Sequence, residues 1–169
     1  MSHPTTLIVV SDRAARGERA DASAALLAPA LAAEGFDLVE TLVVPDEREA
    51  IGVAIREAAR TSALVLTTGG TGVAPRDVTP EATRDAIDYE VPGLGEEMRR
   101  RSVEITIKAL GSRALGGVLG PCVVLNLPGR PEGAVECFGF VARALGHLIA
   151  LRRGPVPDAS HGPASGPPA

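Results

Sequence analysis

The sequence predicts an α/β fold: a three-layer α/β/α sandwich with a mostly parallel sheet and one β-hairpin. Three observations carry this. First, apolar runs such as Thr6-Leu7-Ile8-Val9-Val10-Ser11 and Leu64-Val65-Leu66-Thr67-Thr68 are continuous rather than alternating, as expected of central parallel strands covered on both faces. Second, helical patterns separate most of these runs, which is the βαβ signature. Third, two short apolar runs, Ala114–Leu119 and Cys122–Leu127, meet at Gly120-Pro121 and read as a hairpin.

The first strand, Thr6–Ser11, ends at Ser11-Asp12, and a polar loop runs from Arg13 to Arg19. Asp21 is placed to N-cap a helix over Ala22–Glu34, closed by Gly35. Pro29 inside that helix is expected to kink or split it. Phe36–Val44 is the second strand, ending at Pro45-Asp46. In the helix Glu47–Arg60, Ile51, Ala54, Ile55 and Ala58 share a face. The third strand breaks into Gly69-Gly70-Thr71-Gly72, and Thr79-Pro80 suits an N-cap and first helical position. That helix runs to about Asp88; a turn at Glu90–Gly93 leads into a helix over Leu94–Ala109 that carries Arg99-Arg100-Arg101. The hairpin follows and ends in the loop Asn126–Pro131. The last helix, Glu132–Arg152, has Val135, Phe138, Val141, Ala142, Leu145, Leu148 and Ile149 on its apolar face. The expected organisation is a flexible N-terminus (1–5), one domain (6–153) and a disordered Pro/Gly-rich tail (154–169).

Composition narrows the function. Of 169 residues, 45% are hydrophobic and only 2% aromatic, the net charge is -4, and Lys108 is the only lysine. With no basic run and almost nothing to stack on a base, a nucleic-acid surface is not expected. No unbroken apolar run of roughly 18 residues and no signal-peptide pattern are present, so the expectation is a cytoplasmic protein with no membrane span. Cys122 and Cys137 read as small buried hydrophobes, and the three scattered histidines show no zinc spacing.

Right-handed crossovers bring the loops after the parallel strands to one edge. That edge gathers Ser11-Asp12, Asp46, the Gly69–Asp77 segment and Asn126–Pro131. A glycine loop before a helix start suits an anion, because its N–H groups are unobstructed and the dipole is positive. Carboxylates beside such a site make sense if a divalent ion bridges them to phosphate, and Mg2+ uses one or two carboxylates with water and phosphate. Arg76, Arg113 and Arg130 are available to hold phosphates. Plainer readings stand beside these: Asp46 as a helix N-cap, Asp12 as a turn residue, Asp77 as an Asx turn on loop amides, Arg99 to Arg101 as a solvated helix face, Ser112-Arg113 as a helix stop. The loop is neither a Walker loop nor a dinucleotide fingerprint.

Together Thr67–Gly72, Arg76-Asp77-Val78-Thr79-Pro80-Glu81 and Asn126-Leu127-Pro128-Gly129-Arg130-Pro131 resemble the MogA/MoaB family of molybdenum-cofactor biosynthesis, with Val44-Pro45-Asp46 and Ser112-Arg113 agreeing in type and order. The likeness spans about Thr6 to Arg152; the same domain occurs in gephyrin and its plant counterpart. It implies a trimeric molybdopterin-binding domain that transfers AMP from ATP to the terminal phosphate of molybdopterin, with Mg2+, releasing pyrophosphate. It implies catalytic and metal-binding roles for Asp46 and Asp77. Ser11, Asp12, Gly69, Gly70, Thr71 and Gly72 would take the nucleotide; Ser112, Arg113, Asn126, Leu127, Pro128, Gly129 and Pro131 the molybdopterin. Two other functions compete: a MoaB-like binder that turns nothing over, and a trimeric scaffold for other cofactor-synthesis proteins.

Overall fold

A computed structural model describes residues 2–154. The strands are β1 (His3–Val10), β2 (Phe36–Val44), β3 (Leu64–Thr68), β4 (Tyr89–Glu90), β5 (Gly116–Leu119) and β6 (Cys122–Leu127). The helices are α1 (Asp12–Ala15), α2 (Ser23–Ala33), α3 (Arg48–Ala58), α4 (Thr79–Ala86), α5 (Pro92–Ile105) and α6 (Pro131–Arg153), with a 3-10 turn at Ile107–Gly111. One sheet holds the six strands in the order β2-β1-β3-β6-β5-β4. β2, β1, β3 and β6 are parallel; β5 runs antiparallel to β6 and to β4. The three-layer, mostly parallel fold with its hairpin is as the sequence implies.

Strand alternation builds two cores. Leu7 and Val9, Leu64 and Leu66, and Val123, Leu125 and Leu127 face one side, against Leu27 and Leu31 of α2, Leu94 and Met98 of α5, and Phe138, Val141 and Leu145 of α6. Ile8 and Val10, Val65, and Cys122 and Val124 face the other, against Ile51 and Ile55 of α3 and Ala82 and Ala86 of α4. Strands buried on both faces must be apolar throughout, hence the unbroken runs. Both thiols are free and buried, and burial pushes the Cys122 thiol up to about 12 and that of Cys137 upward, so both behave as hydrophobes.

Several expectations need correcting. The stretch expected to be loose at the N-terminus includes the start of β1: His3 already pairs with Phe36, and the Pro4 carbonyl accepts from the Ala63 N–H at 2.8 Å. Pro4 lies near the strand's start, where a missing donor does least harm. Pro29 does not split α2, which runs unbroken from Ser23 to Ala33. Asp21 is not its N-cap, a position held by Ala22 without a side-chain cap; it lies one residue earlier and its carboxylate accepts from the Ser23 N–H at 2.7 Å. Thr79 is the first residue of α4 rather than its cap. α5 stops at Ile105, where Thr106 turns extended and caps the 3-10 turn, and the polar loop after β1 holds the single turn α1, capped by Ser11. β4 has no signature in the sequence, because two residues carry no period. α6 is apolar enough, at a mean hydropathy of 1.5, and long enough to cross a membrane, although the sequence shows no unbroken apolar run. Its buried face packs on the sheet. Except for Gly154, the tail lies outside the described residues.

Candidate active site

The register places the carboxyl ends of the parallel strands side by side: Val10 pairs with Val44, Val9 with Thr68, and Thr68 with Leu127. The glycine loop leaves this edge at Gly69 and Gly70, whose φ values of 97° and 64° suit glycine best. A Cβ at Gly69 would collide with the Val10 carbonyl, and one at Gly129 would lie 3.2 Å from the Gly69 Cα. The loop therefore sits wedged between the end of β1 and the loop after β6. The Gly69 N–H donates to the Leu127 carbonyl (3.3 Å), and Thr79 holds the loop from α4: its N–H donates to the Gly70 carbonyl (3.1 Å) and its hydroxyl to the Gly69 carbonyl (2.9 Å). Among the described residues, no group accepts from the N–H groups of Gly70, Thr71 or Gly72. Donors fixed in place and unpaired are what an oxyanion needs.

Both expected aspartates flank this loop. Asp46 Oδ1 lies 3.3 Å from where a Gly70 Cβ would stand, and Asp77 Oδ2 lies 2.8 Å from the corresponding point on Gly72. The missing Cβ at Gly72 thus leaves room for the Asp77 carboxylate, and that at Gly70 leaves room first for the Thr79 hydroxyl and then for Asp46. Asp46 does not cap the next helix: Glu47 holds that position and makes no side-chain cap. Instead the Asp12 N–H donates to Asp46 Oδ2 (2.8 Å) and the Asp46 N–H to Asp12 Oδ1 (3.0 Å). This reciprocal latch joins the ends of β1 and β2. Arg76 closes it with a fork onto the Asp12 carboxylate, at 2.7 to 3.1 Å. That bond, helped by the Asp46 amide, holds the Asp12 carboxyl below its ordinary value. Arg76 is therefore engaged within the protein, not free for phosphate as expected. Asp77 Oδ2 accepts from the Ala74 N–H at 2.9 Å, so the Asx turn is real as well.

Asp46 and Asp77 each have one oxygen, Oδ1, to which no described residue donates. Among the described residues no three His, Cys, Asp or Glu side chains gather around a metal position. A complete protein cage is thus absent there. One oxygen from each of two carboxylates, completed by phosphate and water, fits Mg2+.

Two clefts open on either side of the loop. One, of about 610 Å³, is lined by Ser11, Thr68, Gly69, Gly129, Arg130 and Pro131, among others; Arg19 and Asp21 add charges that the sequence pattern does not point to. The Thr68 hydroxyl is buried in its wall without a partner. The other, of about 660 Å³, is lined by Thr71, Gly72, Ser112, Pro128 and Arg130, and by Arg99, Ser102 and Lys108. Arg130 borders both, and its side chain is exposed, paired with Glu132 at 3.2 Å. The sequence reads Arg99 as part of a solvated face; only the docking of α5 beside the loop puts it here. Asn126 and Leu127 are corrected. Both are fully buried, so neither side chain can line a ligand. The Asn126 amide donates to the Thr67 and Thr83 hydroxyls, each at 2.9 Å, tying β6 to β3 and α4. The Thr83 hydroxyl in turn donates to the Thr79 carbonyl (2.8 Å), so this buried network supports the loop from below.

Residues 6–147 match the model of a family described as a probable molybdopterin binding domain. A molybdopterin adenylyltransferase from Escherichia coli K12 is 39% identical over 148 residues, covering 85% of this chain and 75% of that one. A crystal structure of a molybdopterin biosynthesis enzyme, MoaB, from Thermus thermophilus is 42% identical with a TM-score of 0.82, covering 88% of this chain and 95% of that one. A tungsten cofactor synthesizing MoaB from Pyrococcus furiosus is 30% identical with a TM-score of 0.81, covering 90% of this chain and 98% of that one.

Proposed function

The chain belongs to the molybdopterin-binding domain family, and on that premise we propose how its carboxyl edge serves as an active site. The protein is a molybdopterin adenylyltransferase, a nucleotidyltransferase of molybdenum-cofactor biosynthesis. ATP is the AMP donor in our reading and Mg2+ its companion ion. The observation that carries the mechanism is the setting of Asp46 and Asp77 against alternate glycines of one loop with unpaired N–H groups.

The terminal phosphate of molybdopterin attacks the α-phosphorus of ATP. A P–O bond forms, the bond to the β-phosphate oxygen breaks, and pyrophosphate leaves with the electron pair. A phosphate nucleophile is already ionised, so no general base is required. Asp46 and Asp77 would hold Mg2+ through their free oxygens, and the ion, when bound, neutralises charge on the departing pyrophosphate. The N–H groups of Gly70, Thr71 and Gly72 bind phosphate oxygens without needing to reorganise. The 610 Å³ cleft takes the nucleotide and the 660 Å³ cleft the pterin, and Arg130, bordering both, meets the phosphates where the substrates join. A homotrimer working in the cytoplasm belongs to the same proposal; the exposed Ile105, Ile107 and Leu110 support a subunit contact near the pterin cleft.

The test is pyrophosphate release from ATP and Mg2+, with and without molybdopterin. Release that depends on molybdopterin and yields an adenylylated pterin is the expected result. Tight pterin binding without release would instead leave the protein as a binder, with Asp77 serving only its Asx turn.

A further inference from the structure

We propose that Arg113 is a positioning residue that sets Asp77 and the glycine loop, rather than a ligand of the pterin; this rests on the adenylyltransferase reading. Four bonds leave this one residue, three of them to carbonyls of the loop and one to α4. Its backbone N–H donates to the Thr71 carbonyl at 2.8 Å. Its Nε donates to the Gly72 carbonyl at 2.7 Å and its Nη2 to the Asp77 carbonyl at 2.6 Å. Its Nη1 pairs with the Glu81 carboxylate in the first turn of α4. The planar fork reaches both ends of the Val73–Arg76 excursion at once and closes it. Asp77, at the second anchor, is held by its carbonyl through Arg113 and by its carboxylate through Ala74.

Two further observations separate this from substrate binding. Glu81 already neutralises the guanidinium, and its other oxygen, Oε2, is buried without a partner, so little positive charge is left for an incoming phosphate. Cleft lining also matters: Ser112 lines both the 660 Å³ cleft and a smaller one of about 310 Å³, whereas Arg113 lines only the smaller one, with Arg84 and Arg99. The two neighbours thus differ in role. A lysine could not replace Arg113, because one ammonium cannot reach three acceptors set out along a planar fork.

Arg113→Met and Glu81→Gln test the proposal. In Arg113→Met, kcat is expected to fall by about 10- to 100-fold while KM for molybdopterin stays within about threefold, since a misplaced carboxylate harms the reaction more than binding. Half-saturation by Mg2+ is expected to rise, and exchange of the hydrogen-bonded amides of Ala74 and Asp77 to quicken. Glu81→Gln, which touches no substrate in our reading, should move each quantity the same way by less, and Arg113→Lys should not restore kcat. A rise of KM with kcat unchanged would overturn the proposal, as would unaltered exchange at the Ala74 and Asp77 amides in both variants. Amide exchange in the free protein needs no turnover, so it reads the clamp even where the wild type proves to be only a binder. If Arg113→Met fails to fold, Glu81→Gln decides.

Discussion

At the scale of the residue, the active edge depends on atoms that are missing as much as on those present. Gly72 has no positive φ, so alanine there suits the backbone, but its Cβ would stand 2.8 Å from Asp77 Oδ2. Gly72→Ala should therefore lower turnover by about tenfold or more while changing stability by no more than about 1 kcal/mol. Asp77→Asn, which removes the charge without moving the chain, should lower it further. Steady-state kinetics beside urea unfolding would check both; a Gly72→Ala enzyme with full turnover would show that the position of Asp77 against Gly72 is not what turnover depends on. The latch makes a pH prediction. With Arg76 holding the Asp12 carboxyl below its ordinary 3.8, the latch contributes stability above that value and loses it only as pH falls through the lowered one. No acid limb from Asp12 is expected between pH 5 and 8, and a carbon-detected titration should place its midpoint below 3.8.

At the scale of the element, each segment was legible to the extent that its period was long. The continuous runs of β1, β3 and β6 and the apolar faces of α3 and α6 follow directly from burial. β4 and α1 are too short for a period, and the end of α5 rests on a dihedral change at Thr106. Pro29 shows that packing can override a local rule: Leu27 and Leu31 are fully buried on either side of it, while Pro29 itself is exposed. Proline at that position leaves the Ala25 carbonyl without its helical donor, a loss of about 3 kcal/mol in a helix interior, offset by about 1 kcal/mol from a stiffer unfolded chain. Pro29→Ala should thus stabilise the protein by about 1–2 kcal/mol in urea unfolding, with turnover unchanged because α2 lies away from the loop. A less stable variant would mean that the ring's packing outweighs the missing bond.

At the scale of the whole molecule, the described domain contains both clefts, both aspartates and the loop between them, and the family match ends at residue 147. Cutting the chain after Gly154 should leave turnover as it is. Light scattering on both forms should give a mass near three times that of the protomer, 17.3 kDa for the full chain. A monomer that retains full activity would remove the subunit contact from the proposal, and a truncated form that loses activity would mean that the tail completes a site.

The sequence by itself determined the α/β class and the parallel edge, and it pointed to the two aspartates that flank the glycine loop, because burial patterns and glycine-rich turns are written locally, residue after residue. It determined the family as well, through motifs that match in order along the chain. Only the tertiary structure decided which polar groups face each other. Asn126 stands in a motif that looks like a binding loop, yet the sheet closes over it. Arg76 and Arg113 look free for phosphate, yet one is held by Asp12 and the other by Gly72, Asp77 and Glu81. An arginine's partners here come from segments 32 to 64 positions away, and no local pattern encodes a contact that exists only once the strands are side by side.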